Sequence, residues 1–241
     1  MKIANFKLQI GLRVSRSVEP HGRDLSRTPK GKIFPIAYCL LSIAFLFSGC
    51  VAYQVGGEIQ PGRYALLRGD SKAALAHFQR AAETDPNHVN AYTGFREGVW
   101  TYVGRAHYAL GDFSAARQAL ERARRNEEDH MAKLYLGLVL ARDGDKQRGL
   151  KEIEAGLKGL GDSLEYADQY KLDGDYWDPG RILRAQIQKE LAMISGKEFN
   201  LDRLIASGER LGEELEKEVD ESRRHRQRER RDNDGRDGGR T

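Results

Sequence analysis

Between residues 97 and 130 the apolar side chains fall into two runs of helical period, split by Gly111-Asp112. The first run holds Trp100, Val103, Gly104 and His107, and the second holds Phe113, Ala116, Leu120 and Ala123. Apolar positions recurring at three and four residues predict two amphipathic helices. Gly111 accepts the left-handed conformation that ends a helix, and Asp112 supplies a capping oxygen for the next. Gly104 and Ala116 mark the close approach of the pair. Trp100, Val103, Phe113 and Leu120 fill the space beside it.

The order recurs on both sides. Upstream, Gly69-Asp70 answers Gly111-Asp112, and Ala74, Phe78 and Ala81 answer Ala116, Leu120 and Ala123. Downstream, Leu136, Gly137, Leu140, Gly144-Asp145, Gly149, Ile153 and Gly156 answer Val103, Gly104, His107, Gly111-Asp112, Ala116, Leu120 and Ala123. One helix pair cannot bury its apolar faces alone, so three in series predict an all-α solenoid. The first pair is expected to be truncated, because Pro61 falls inside its first helix. The offset from the first repeat to the second is 42 residues, against 33 from the second to the third. The extra residues lie in 88–96 and suggest an extended helix from about Asn87, with a loop as the alternative because Gly94 and Gly98 weaken a helix.

Beyond residue 163, a short helix is expected at 164–172. Asp178-Pro179 reads as an N-cap followed by proline at the first helical position. Asn200 then caps a helix with Leu201, Leu204, Ile205, Gly208, Leu211, Leu215 and Val219 on one stripe. These elements, 164–221, are expected to close the end of the solenoid. Residues 222–241 contain no apolar side chain and are expected to be disordered.

The large-and-small order of Trp100, Val103, Gly104, His107, Gly111, Phe113, Ala116, Leu120 and Ala123 resembles the tetratricopeptide repeat. The resemblance covers residues 61–163 and implies that Trp100, Gly104, Gly111, Ala116, Leu120, Gly137 and Gly144 are structural. It also implies a concave groove lined by the first helix of each repeat. On this chain that groove takes Arg63, Leu66 and Leu67 from the first repeat, and Thr101, Arg105, Tyr108 and Ala109 from the second. The third contributes Met131, Leu134, Leu138, Ala141 and Arg142. An apolar floor with three arginines suits an extended peptide carrying some acids, since arginine grips a carboxylate through two parallel bonds. Plain solvation of those arginines is the competing reading. The Lys/Asn pattern of repeats that bind chaperone tails is not seen.

Ahead of the repeats, residues 1–32 are polar and basic, and an apolar run follows from Ile33 to Phe47. A positive segment, an apolar run and small residues at its end make an export signal. Leu46-Phe47-Ser48-Gly49-Cys50 resembles the bacterial lipobox, which implies removal of residues 1–49, acylation of Cys50 and a tether over 51–60. Phe47 stands where leucine is commoner, and the leader is long, which suggests a true start downstream of Met1, near Leu25. The apolar run could instead remain as an uncleaved anchor, since no charge occurs from residue 34 to 57. In either case the basic leader stays inside and the body is exported. Val51, where an aspartate would signal retention, implies the outer membrane, with the body in the periplasm.

Charge and chemistry narrow the function. Although the whole chain has a net charge of +4, residues 50–221 hold 24 basic and 30 acidic side chains, so no basic face for nucleic acid is expected. The six histidines show no metal-ligand spacing, and with Cys39 in the signal and Cys50 acylated no thiol is left for a disulfide or a metal. Asp143-Gly144-Asp145 is faintly like a calcium loop, but Arg148 stands where that loop needs glycine. Asp173, Asp175 and Asp178 are better explained as a turn before a helix. No phosphate loop or nucleophile elbow is present, so neither an enzyme nor a cofactor is expected. The expected role is a lipid-anchored scaffold that binds another envelope protein in assembly, pilus biogenesis or recruitment of envelope enzymes. The alternatives are a structural lipoprotein that dimerises through the helices of 181–220, and a polysaccharide binder acting through the Arg-rich tail.

Overall fold

The computed structural model describes residues 51–92, 94–170, 177–196 and 200–237. Cys50 and the whole leader, where the acylation site is expected, lie outside the described residues. Helix α1 spans 51–67. It is followed by α2 (Ser71–Thr84), a hairpin of β1 (Val89–Tyr92) and β2 (Phe95–Gly98), α3 (Val99–Ala109), α4 (Phe113–Ala123), α5 (His130–Arg142), α6 (Lys146–Gln169), α7 (Ile182–Ser195) and α8 (Leu201–Asp237). The pairs α1/α2, α3/α4 and α5/α6 are the three repeats of an all-α solenoid, and α7 and α8 follow them.

Each pair turns in the same way. Gly69, Gly111 and Gly144 have φ of 78°, 77° and 96°, a region closed to most L-residues. The aspartates that follow accept from the amides of Ala73, Ala115 and Arg148 at 3.1, 3.1 and 3.2 Å, so each second helix starts on a capped N-terminus. Within each pair the helices touch through a glycine. A Cβ at Gly62 would sit 2.5 Å from the Phe78 ring, one at Gly104 2.5 Å from Leu120, and one at Gly137 2.5 Å from the backbone nitrogen of Ile153. The same sixteen-residue step separates the partners in all three pairs, so Gly62 makes the first repeat complete. It is not truncated. α1 continues through Pro61, which removes one backbone hydrogen bond. Burial of Val55 and Ile59 on one side of it and Ala65 on the other offsets that loss at about 1.5–3 kcal/mol per large side chain.

The core follows the repeats. Phe78 stacks on Tyr102 at 5.1 Å between the first two, and Leu120, Leu134, Leu136, Ile153, Leu157 and Leu160 are buried through the second and third. Trp100 is half-buried; its Nε1 donates to the Pro86 carbonyl at 2.8 Å, and Arg122 lies over its ring.

Four further elements differ from the sequence expectation. The inserted stretch before the second repeat is neither helix nor loop but the β1–β2 hairpin, with Tyr92 opposite Phe95 and Gly94 at φ 80° in the turn. The short helix expected at 164–172 is the end of α6, continuous to Gln169 because Leu164 and Ala167 stay on its buried face. α7 starts at Ile182 rather than at Pro179. Asp178 still caps it, accepting from the amides of Leu183 and Arg184 across a turn in which Asp178 and Arg181 both have positive φ. Finally, α8 does not stop near residue 221 but continues to Asp237. Its Ser222 is buried, and arginine, glutamate and glutamine carry the helix onward at little cost in propensity.

Candidate functional site

The inner face of the solenoid is formed by α1, α3 and α5, the first helix of each repeat. Place nine of the repeat falls on Arg63, Arg105 and Leu138, one above the other. Helix α8 lies along this face. It carries two adjacent stripes: Leu204, Leu211, Leu215 and Val219 are buried, and beside them run Gly208, Glu209, Gly212, Glu216 and Asp220.

The glycines set the approach. A Cβ on Gly208 would meet Leu138 at 3.1 Å and Leu134 at 3.5 Å, and one on Gly212 would collide with the Tyr135 hydroxyl. Leu134 and Leu138, expected on the groove floor, are therefore the seat of α8. The acids then meet the groove's cations in order. Glu209 accepts from the Tyr108 hydroxyl at 2.5 Å and from Arg142 Nη2 at 2.6 Å, while Arg142 Nε donates to the Tyr108 oxygen at 2.7 Å. Glu216 accepts from Arg63 Nε at 2.5 Å and from Arg105 Nη1. Arg63 also pairs with Asp220 at 3.2 Å, and Arg105 with Glu97 of β2 at 3.5 Å. Arg105 lies over the Tyr135 ring, 5.1 Å from its centroid.

Burial makes this cluster distinctive. The Arg63, Arg105 and Glu216 side chains are 0–4% exposed. Burial alone would raise the Glu216 carboxyl, but Arg105 and Arg63 outweigh it and hold Glu216 below its ordinary value. Glu97 goes the other way. Burial first, then the charge of Glu216, pushes it up to about 7, with Arg105 only partly compensating. Burial, and then Glu209, likewise raises the Tyr108 phenol. The network is a set of paired buried charges, not a poised nucleophile.

The remaining expected groove residues part company here. Thr101 turns away, donating to Asp129, which also caps α5 by accepting from the Ala132 amide. Burial pushes Asp129 up to about 6, against hydrogen bonds from Thr101, Gly98 and Ala132. Leu66 stays half-buried at the edge of an open cleft of about 410 Å³ between α8 and the turns of repeats one and two, lined also by Leu67, Tyr108, Phe113, Arg142 and Glu213. Among the described residues no cluster of three or more histidine, cysteine, aspartate or glutamate side chains is placed to hold a metal.

What sequence reasoning missed is the occupant. Gly208 and Gly212, one turn apart beside the apolar stripe, signal a close contact, and Glu209, Glu216 and Asp220 next to them are opposite in charge to the arginines of the groove. Those two cues point to α8.

Comparison with known proteins agrees with the architecture. Residues 104–163 match the tetratricopeptide repeat family, from the middle of α3 through most of α6. No curated protein and no solved structure matches the chain. Tetratricopeptide repeats are protein–protein interaction scaffolds, built to present extended concave surfaces rather than catalytic groups.

Proposed function

We propose that this chain is a membrane-attached adaptor of the bacterial cell envelope, lipidated at Cys50 and holding a second envelope protein on its repeats. The observation that carries the reading is a repeat scaffold preceded in sequence by a basic segment, an apolar run and Leu46-Phe47-Ser48-Gly49-Cys50, a pattern that reads as an export signal. Two acyl chains or more on one cysteine suffice for stable attachment. Val51 favours the outer membrane, with the body in the periplasm. The apolar stripe of α8 is buried within its own chain, which favours an adaptor over a protein that dimerises through its C-terminal helices.

With α8 seated on the inner face, the partner has the cleft beside it, where Leu66, Leu67 and Phe113 offer apolar contact between Arg142 and Glu213. The test combines two readouts in the native envelope. Labelled palmitate is incorporated by the full-length chain and not by Cys50→Ala. A partner cross-linked to the wild-type chain is lost from Leu67→Glu and Phe113→Glu, both at half-buried positions. Label retained by Cys50→Ala would rule out the anchor. A cross-link pattern unchanged by both cleft substitutions would rule out the cleft.

A further inference from the structure

Helix α1 and the Arg-rich part of α8 lie together. Arg63 of α1 pairs with Glu216 and Asp220, and Gln60, one turn earlier, accepts from Arg223. As α8 advances, α1 recedes, so the two helices run antiparallel. From Gln60 back to Val51 is about 13 Å of helix, and from Arg223 forward to Arg231 about 12 Å. The Arg-rich part of α8 therefore draws level with the first turn of α1, which follows Cys50 in sequence.

The surfaces at that end suit a lipid interface. Arg224, Arg228 and Arg231 stand at i, i+4 and i+7 on one helical face, and all three are exposed. Tyr53, 84% exposed, and Val51 project from the first turn of α1. An exposed tyrosine level with arginines is the combination that settles at the headgroup level, with an apolar body and a polar tip. Glu58 is the only acid in residues 51–60, and it is engaged by His77 Nδ1 at 2.6 Å and Arg80 Nη2 at 2.8 Å, so it leaves the arginine face unopposed from α1.

We infer that the first turn of α1 and the Arg224–Arg228–Arg231 face of α8 form one surface that binds anionic phospholipid headgroups. The inference rests on membrane attachment just ahead of Val51 but not on acylation, since an uncleaved apolar segment would present the same surface. Its effect is to fix the orientation of the scaffold over the bilayer, where a tether alone would leave it free to tumble.

Full-length protein with Cys50→Ser is the material for the test, so that acyl chains play no part. Its co-sedimentation is compared with vesicles of phosphatidylcholine alone and of phosphatidylcholine with phosphatidylglycerol. The basic leader of residues 1–32 itself favours the anionic vesicles, so the α8 face is read from the fall in the ratio when its arginines are replaced, not from the ratio alone. The expected ratio favours the anionic vesicles, declines with salt and survives excess inorganic phosphate at matched ionic strength. Replacing Arg224, Arg228 and Arg231 together by glutamine lowers it on the order of a hundredfold at low salt, about fivefold per residue. The corresponding triple lysine variant keeps it, and Tyr53→Ser weakens binding to both vesicles. An equal affinity for the two vesicles, or a preference that the triple glutamine variant leaves unchanged, overturns the inference. Palmitate incorporation at Cys50 is measured separately, so failure of the anchor and failure of this surface are distinct results.

Discussion

Glu216→Ala is the substitution that tests whether α8 is held by its acids or only by its apolar stripe. The Glu216 carboxylate is 4% exposed and takes a hydrogen bond from each of two guanidinium groups that are 0% and 2% exposed. Removing one member of a buried ion pair costs about 3–5 kcal/mol, because the charge left behind is neither hydrated nor paired. Here two charges are left, but each retains a second carboxylate, Asp220 at 3.2 Å from Arg63 and Glu97 at 3.5 Å from Arg105. The expected loss therefore sits at the lower end, about 3 kcal/mol. Glu209→Ala is the internal control. Its partner Arg142 is 38% exposed and Glu209 itself 33%, so water screens the pair and the loss stays near 1 kcal/mol. Urea unfolding gives the global figures. Native-state hydrogen exchange gives the local one, with the amides of residues 204–220 losing protection in Glu216→Ala ahead of those of α5 and α6. Equal losses for the two variants would refute the reasoning, because they would mean the buried cluster contributes no more than a surface pair.

Two further outcomes follow from the same geometry. With Glu97 raised to about 7 from an ordinary 4.5, the folded state holds a proton that the unfolded state has lost over that interval. Stability should therefore fall as pH rises from about 5 to 7, by about 2–3 kcal/mol from this group. Glu97→Gln should remove that share of the slope in urea midpoints measured from pH 5 to 8, leaving the smaller share of Asp129; identical slopes in the two proteins would count against the assignment. Gly137→Ala should destabilise by about 1–3 kcal/mol or more, since its Cβ would meet backbone at 2.5 Å and 2.7 Å rather than a yielding side chain, and a thermal melt unchanged from wild type would contradict that contact.

The sequence by itself determined the repeats. Gly111-Asp112 and its two counterparts dictate a left-handed turn and a cap through local chemistry, and Gly104 and Gly137 dictate close helix contact through the absence of a side chain. Such information is carried within a few residues and survives reading in one dimension. Pro61 misled because its cost is also local, whereas what overrides it, the burial of Val55, Ile59 and Ala65, is tertiary. The hairpin at 89–98 was obscured for a related reason: Phe95 finds its partner in Trp177, 4.9 Å away in space and far off in sequence. The site was legible in half. Arg63, Arg105, Tyr108 and Arg142 could be placed on one face from their repeat positions alone. That their counter-charges are Glu209, Glu216 and Asp220, supplied by the chain's own last helix, was decided only in the folded structure. A groove and its occupant are both amphipathic, and pattern alone does not say which surface an amphipathic helix will cover. Here the closeness allowed by Gly208 and Gly212 and the burial of opposite charges against each other made that choice.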